Sequence, residues 1–260
     1  MYPVLFRIGS FEITSFGAMV ALGAALGILV LRREMIRAGL DGAKAVDAAL
    51  VGVLGGLAGA KLLYVVEHWA EPLSATLLSR GGMSWFGGFS GGVLAGLAMV
   101  AWQRLPLTTV LAAAAPALTL GQAVGRIGCF LVGDDYGRPT TLPWGIAFPE
   151  GLPPTTDPVH PTQLYEAFAL FALTGVLLWM RRRGTRDRMV FGAYLVAAGG
   201  VRFLIELVRV NVVVALGMTT AQLFSVGLAA AGAALLVMRG ADVPPPAAAR
   251  RPSGKRHGRR

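Results

Sequence analysis

Long uncharged stretches alternate with short basic interruptions along this chain. Residues 13–31 carry no charge and stop at Arg32 and Arg33. Residues 48–66 are apolar apart from Lys61, and runs over 86–103 and 105–125 follow, split at Arg104-Leu105-Pro106. Residues 161–180 hold a single acid, Glu166, and end at Arg181, while residues 189–208 contain Arg202 and Glu206. The last run, 210–238, is too long for one crossing and divides naturally at Gly217-Met218-Thr219-Thr220. A spanning helix needs about 20 mostly apolar residues, so the pattern predicts an all-α integral membrane protein with seven transmembrane helices. The first run has no basic region before it and its charges come after, which fits an uncleaved helix rather than a signal peptide.

Composition agrees. Of 260 residues 55% are hydrophobic and only 15% charged, with a mean hydropathy of +0.61. A soluble chain carries about 25% charge, and one this apolar could not cover itself with polar surface in water. One cysteine, Cys129, excludes an internal disulfide, and His68, His160 and His257 lie too far apart for metal-ligand spacing. No metal is therefore expected.

The formal charge of +10 invites a nucleic-acid reading, but its placement argues otherwise. Arg32, Arg33, Arg37 and Lys44 follow the first span, Arg104 the third, and Arg181 to Arg188 the fifth. Arg239 and the arginines of the tail follow the seventh. All fall on one side, which the positive-inside rule makes cytoplasmic, leaving the N-terminus periplasmic and the C-terminus cytoplasmic. Such clusters meet anionic lipid first, and neither a binding fold nor interleaved aromatics supports a nucleic acid partner. Residues 1–240 are read as one transmembrane domain. Residues 241–260, with Pro244-Pro245-Pro246 and scattered arginines, read as a disordered basic cytoplasmic tail. On the opposite side the loops over 67–85 and 130–160 are long, and Leu142-Pro143-Trp144-Gly145 suggests an ordered periplasmic head region.

Glycines and interior charges are the candidate chemistry. Gly55 and Gly59, then Gly87, Gly88, Gly91, Gly92 and Gly96, repeat at four-residue spacing, as close helix packing requires. Gly87 and Gly88 sit at the outer end of their span, where a cleared backbone could equally admit a lipid headgroup. Ionisable groups inside spans are expensive and mark a pocket, a pathway or an internal pair. Here they are Lys61, Arg126, Glu166, Arg202, Glu206 and Arg209. Positions 202, 206 and 209 share one helix face, as do Gln163 and Glu166 with His160 before them. Four cations against two acids leave positive charge uncancelled. Arginine forks match phosphate bidentately, so a phospholipid headgroup is the expected anion.

Six blocks now become specific: residues 3–9, Gly81-Gly82-Met83-Ser84-Trp85-Phe86-Gly87-Gly88, residues 125–138 from Gly125-Arg126 to Gly137-Arg138, Leu142-Pro143-Trp144-Gly145, His160-Pro161-Thr162-Gln163-Leu164-Tyr165-Glu166, and Arg202-Phe203-Leu204-Ile205-Glu206. Together and in this order they resemble the bacterial phosphatidylglycerol–prolipoprotein diacylglyceryl transferases over roughly residues 3–238. The resemblance implies a multi-pass enzyme of the bacterial inner membrane, open to the periplasmic side. It implies transfer of the diacylglyceryl group of phosphatidylglycerol to the lipobox cysteine of a preprolipoprotein signal peptide. A thioether forms, glycerol phosphate leaves, and no metal or organic cofactor is implied. The family's two important arginines fall on Arg126 and Arg202.

The chain departs from the family at several positions. The family commonly has Asn at Cys129 and Val132 and Glu at Asp134, often His or Tyr at Phe86, and Tyr at Phe16. Phe86 cannot move a proton, whereas Asp134 keeps a carboxylate. Arg126, Arg202 and Asp134 are therefore the expected catalytic residues. Gly87, Gly88, Gln163, Tyr165, Glu166, Glu206 and Arg209 are expected to bind substrate. His160 is a weaker proton acceptor, better read as capping the helix, and Cys129 reads as a small buried residue with no base beside it. Two other readings stay open: an impaired paralogue that binds anionic phospholipid without turnover, and a membrane transporter, which would show broken helices at the midplane.

Overall fold

Seven of the helices in the computed structural model are long and apolar enough to cross a bilayer, as the hydropathy pattern predicts. The structure describes residues 2–9, 11–78 and 82–238, so the tail over 241–260 lies outside the described residues. The spanning helices are α1 (Ser15–Arg37), α2 (Gly42–Glu67), α4 (Trp85–Trp102), α5 (Leu107–Val132), α6 (Thr162–Arg182), α7 (Asp187–Glu206) and α8 (Thr220–Val237). A short helix, α3 (Leu73–Leu78), lies between α2 and α4. Several ends differ from the sequence reading: α2 begins at Gly42, six residues before the apolar run, and α5 runs on to Val132. α1 runs past Arg32 and Arg33 to Arg37, because a helix continues beyond the hydrocarbon once its side chains reach water. α7 stops at Glu206, so Arg209 lies beyond the helix rather than on it.

Three small hairpins join the ends on one side: β1 (Val4–Ile8) with β2 (Phe11–Thr14), β3 (Ile146–Phe148) with β4 (Thr155–Val159), and β5 (Val213–Ala215) with β6 (Met218–Thr219). They give the ordered loop region expected there, with strands the apolar pattern did not predict. The first hairpin docks on the C-terminal end of α5 through Tyr2 N–H donating to the Leu131 carbonyl at 3.1 Å. The third closes where the last apolar run was expected to divide. There Thr219 caps α8, and Gln222 reaches back to the Thr219 N–H in a capping box.

Small residues set the packing. α1 crosses α5 with Gly23 against Gly121 and Gly27 against Ala117. α2 and α4 mesh antiparallel through Gly55, Gly59, Gly87 and Gly91; a Cβ on Gly87 would lie 2.3 Å from the Gly59 carbonyl oxygen. α7 and α8 meet at Gly199 over Ser225 and at Gly192 over Gly232. Between α5 and α6 the contact is polar, with Thr174 Oγ1 donating to Thr119 Oγ1 at 2.8 Å, both buried. α5 is the central helix, its alanines 112, 113, 115 and 123 wholly buried. Leu54, Leu94, Phe168 and Leu204 on the other helices point outward, as side chains facing lipid do. The alternating helix directions gather Arg32, Arg33, Arg37, Arg104 and Arg181 to Arg183 at one face of the bundle. The hairpins and the C-terminal end of α5 lie at the other.

Candidate active site

The end of α5 makes the site. Gly133 adopts the left-handed conformation (φ 72°) and its N–H caps the Cys129 carbonyl, stopping the helix. Asp135 is also left-handed (φ 61°), a region Asp tolerates better than most side chains. Two such residues so close together fold the chain back over the helix end, bringing Asp134 and Asp135 beside Cys129 and Arg126. The strained backbone is held from outside: the Asp135 carbonyl accepts from Thr162 Oγ1 at 2.7 Å and from Arg209 Nη1 at 3.0 Å.

Three arginines and three acids then close a ring. Arg126 Nη1 meets Asp135 Oδ2 at 2.8 Å, and Asp135 Oδ1 meets Arg209 Nη2 at 2.6 Å. Arg209 Nε lies 3.8 Å from Glu206 Oε2, which lies 2.8 Å from Arg202 Nη2. Arg202 Nη1 is 4.0 Å from Glu166 Oε2, and Glu166 Oε2 returns to Arg126 Nε at 2.9 Å. The ring is anchored at Glu206, whose other oxygen accepts from Asn211 Nδ2 at 2.6 Å and Thr219 Oγ1 at 2.8 Å. It opens on the far side, where the Asp135 side chain is 40% exposed while that of Glu206 is fully enclosed.

This geometry corrects the charge argument. Asp135 is a third acid that the count of interior charges left out, so the clustered arginines are matched one for one. Lys61 is held elsewhere, with its Nζ donating to the Gly82 carbonyl at 3.1 Å. What the ring offers a ligand is therefore fixed direction rather than surplus charge. Arg202 Nη1 is buried and makes no hydrogen bond, with Glu166 Oε2 at 4.0 Å, so its hydrogen-bonding capacity is not used within the ring.

The two aspartates part in character. Burial pushes Asp135 up, but the Arg209 and Arg126 guanidiniums outweigh it and hold the carboxyl down at about 2. Burial first, and the neighbouring Asp135 charge second, raise Asp134 above the usual carboxylate range. Its Oδ1 is buried without a hydrogen-bond partner. The Asp134 carbonyl accepts from Gln163 Nε2, which fixes the backbone. Asp134 also lies against Cys129, and the thiol and the Asp134 and Asp135 carboxylates come within 4.8 Å of one another. The buried cysteine thus does have a carboxyl beside it, contrary to the sequence reading. These three could in principle hold a metal, but guanidiniums already take both Asp135 oxygens and would repel a cation.

Of the expected substrate-binding residues, the structure brings Gln163, Glu166, Glu206 and Arg209 into or against the ring. Tyr165 faces a separate groove of about 440 Å³ lined by Trp144, His160, Leu204 and Ile205. Its hydroxyl accepts from Trp144 Nε1 at 2.8 Å and lies 3.3 Å from His160 Nδ1. His160 serves the start of α6 through its backbone and not its ring: its carbonyl accepts from the N–H of Thr162 at 2.8 Å and of Gly137 at 2.9 Å, while the ring turns to Tyr165. Gly87 and Gly88 face α2, against Gly59 and Ala60 respectively. On that side their spacing serves helix packing, as the four-residue repeat predicts. Phe86 packs edge-on to Trp85 outside the ring, and Phe16 lies over Gly128, two residues along α5 from Arg126. Val132 is buried. The spanning helices are continuous through this region, unlike the broken helices a transporter would show.

The sequence model of the family described as prolipoprotein diacylglyceryl transferase matches residues 3–238. Named relatives agree. A phosphatidylglycerol–prolipoprotein diacylglyceryl transferase of Clostridium tetani is 32% identical over 80% of this chain and 86% of its own length. Enzymes of the same name from Geobacter sulfurreducens and Bordetella bronchiseptica are 36% and 35% identical, over 80% and 90% of this chain and 82% and 93% of their own lengths. The match covers every residue of the ring, and this multi-pass membrane chain belongs to the prolipoprotein diacylglyceryl transferase family.

Proposed function

We propose that this chain transfers the diacylglyceryl group of phosphatidylglycerol to the lipobox cysteine of preprolipoproteins, at the periplasmic face of a bacterial inner membrane. The observation that carries the reading is the joining of Arg126 and Arg202, on different helices, through the single carboxylate of Glu166. The reaction is a displacement. The acceptor thiolate attacks the glycerol carbon bearing the phosphate ester; a carbon–sulfur bond forms, the carbon–oxygen bond breaks, and glycerol phosphate leaves with the electron pair. Charge grows on the phosphate oxygens as that bond breaks. Fixed guanidiniums aimed at the growing charge stabilise the transition state without reorganising.

Each residue has a part in this account. Arg202 turns its Nη1, which makes no hydrogen bond within the ring, to the phosphate, and Arg126 stands across Glu166 from it. Glu166, Glu206 and Asp135 hold the three forks in place, with Arg209 closing the ring. Asp134 receives the acceptor thiol's proton: its raised pKa gives it more affinity for a proton than an ordinary carboxylate, while the low pKa of Asp135 keeps that group an anchor. Nearby cations also ease thiol ionisation. Gln163 fixes Asp134, and Tyr165 lines the groove beside the site. This account gives no step to a metal, an organic cofactor or a nucleic acid.

The test is direct. The purified chain, given phosphatidylglycerol and a lipobox peptide, should form a thioether-linked diacylglyceryl peptide and release one glycerol phosphate per peptide. Lipid binding by the folded protein with no product would contradict the proposal and favour an impaired paralogue.

A further inference from the structure

On the arginine-rich face, far from the ring, the ends of α1 and α6 enclose a second cavity of about 510 Å³. Its polar wall is cationic, made by Arg33, Arg37 and Arg182 around Glu34. Its apolar wall is Val30, Ile36 and Leu178. Glu34 is buried and already satisfied, with Arg37 Nη1 at 2.5 Å and Arg181 Nε at 2.6 Å. Arg181 is also paired with Asp187 at 3.2 Å. Arg33 and Arg182 stand outside this network: among the described residues neither makes an ion pair or a side-chain hydrogen bond. Two uncancelled guanidiniums thus overhang a groove whose other wall is hydrocarbon.

We propose that this groove is a second lipid site, which takes the phosphate of an anionic glycerophospholipid from the leaflet on the arginine-rich side. Arg33 and Arg182 supply forks to the phosphate, and Val30, Ile36 and Leu178 bound the start of an acyl chain. A soluble phosphate ester would use the forks but leave the apolar wall bare, so the membrane lipid is the better fit. The site is distinct from the ring. α1 has 23 residues, which at about 1.5 Å each is roughly 35 Å from the hairpin side to Arg37, enough to cross a hydrocarbon core. One lipid cannot reach both. The proposal does not rest on the transfer chemistry.

Native mass spectrometry of the full chain, delipidated and then given phosphatidylglycerol of defined acyl mass, tests it. Arg33→Gln with Arg182→Gln should retain one fewer phosphatidylglycerol per molecule than wild type. Ile36→Glu, which places an acid in the groove, should lose the same lipid. Arg202→Lys should keep it. Phosphatidylcholine should not fill the site, and millimolar glycerol phosphate or inorganic phosphate should not empty it. Both groove variants should transfer diacylglyceryl within about twofold of wild type, which also shows that they are folded. Equal lipid retention in wild type and both groove variants would overturn the proposal. Displacement by glycerol phosphate alone, or equal filling by phosphatidylcholine, would overturn it as well.

Discussion

Asp134 and Asp135 are adjacent in sequence, yet they sit in opposite surroundings. Asp135 lies between two guanidiniums and stays ionised. Asp134 turns toward the thiol of Cys129, loses solvent and gains proton affinity. If Asp134 is the base, activity should rise with pH along a limb whose midpoint lies above the ordinary aspartate value of about 3.9. The sign follows from the raised pKa: the group is protonated, and useless as a base, until pH passes that midpoint. Asp134→Asn should lose most turnover and this limb together, read from a pH–rate profile at saturating lipid. An Asn variant that keeps both would remove Asp134 from the chemistry. Cys129→Ser should retain most activity, because the thiol is buried in a position the proposed mechanism does not use. A thiol reagent that inactivates wild type and spares Cys129→Ser would show that the cysteine reacts.

At the scale of elements, the spans were legible because hydropathy and arginine punctuation act over about 20 residues, longer than any boundary error. Details set by a single turn were not. The reversal after Gly133 brings Asp135 back to Arg126, and no periodicity predicts where such a turn points a side chain. Arg209 comes within 3.8 Å of Glu206, but from beyond the end of α7 and not from a shared helix face. The glycine spacing was legible as packing, but its partner was not, since only the structure sets Gly87 on Gly59. That contact yields a prediction. Gly59→Val should lower the amount of folded protein, because a Cβ there meets the Gly87 carbonyl oxygen at 2.4 Å. Overpacking of this kind costs about 1–3 kcal/mol. Gly175→Ala, with nothing within 4 Å of its Cβ, should accumulate like wild type. Quantifying both in membranes by fluorescence size-exclusion checks the pair; equal abundance would mean that the α2–α4 contact is not limiting.

Across the whole molecule, alternating helices put the ring at one face and the arginine clusters at the other, which ties orientation to function. The arginine-rich face should be cytoplasmic. Reporter fusions after Arg188 should give cytoplasmic signals and fusions near Pro153 periplasmic ones; the reverse would place the ring on the wrong side for exported preprolipoproteins. The central claim is that Arg126 and Arg202 act as oriented forks on a leaving phosphate. Lysine keeps the charge but not the fork, so it separates the two properties. The measurement is diacylglyceryl transfer per folded molecule in Arg126→Lys and Arg202→Lys, with folded protein quantified in the same samples. Losing one such donor should cost about 2.7–4 kcal/mol, a fall of roughly 100- to 1,000-fold in turnover with abundance near wild type. Near-wild-type turnover per molecule, with only abundance reduced, would show that these arginines hold the bundle together and do not act on the phosphate.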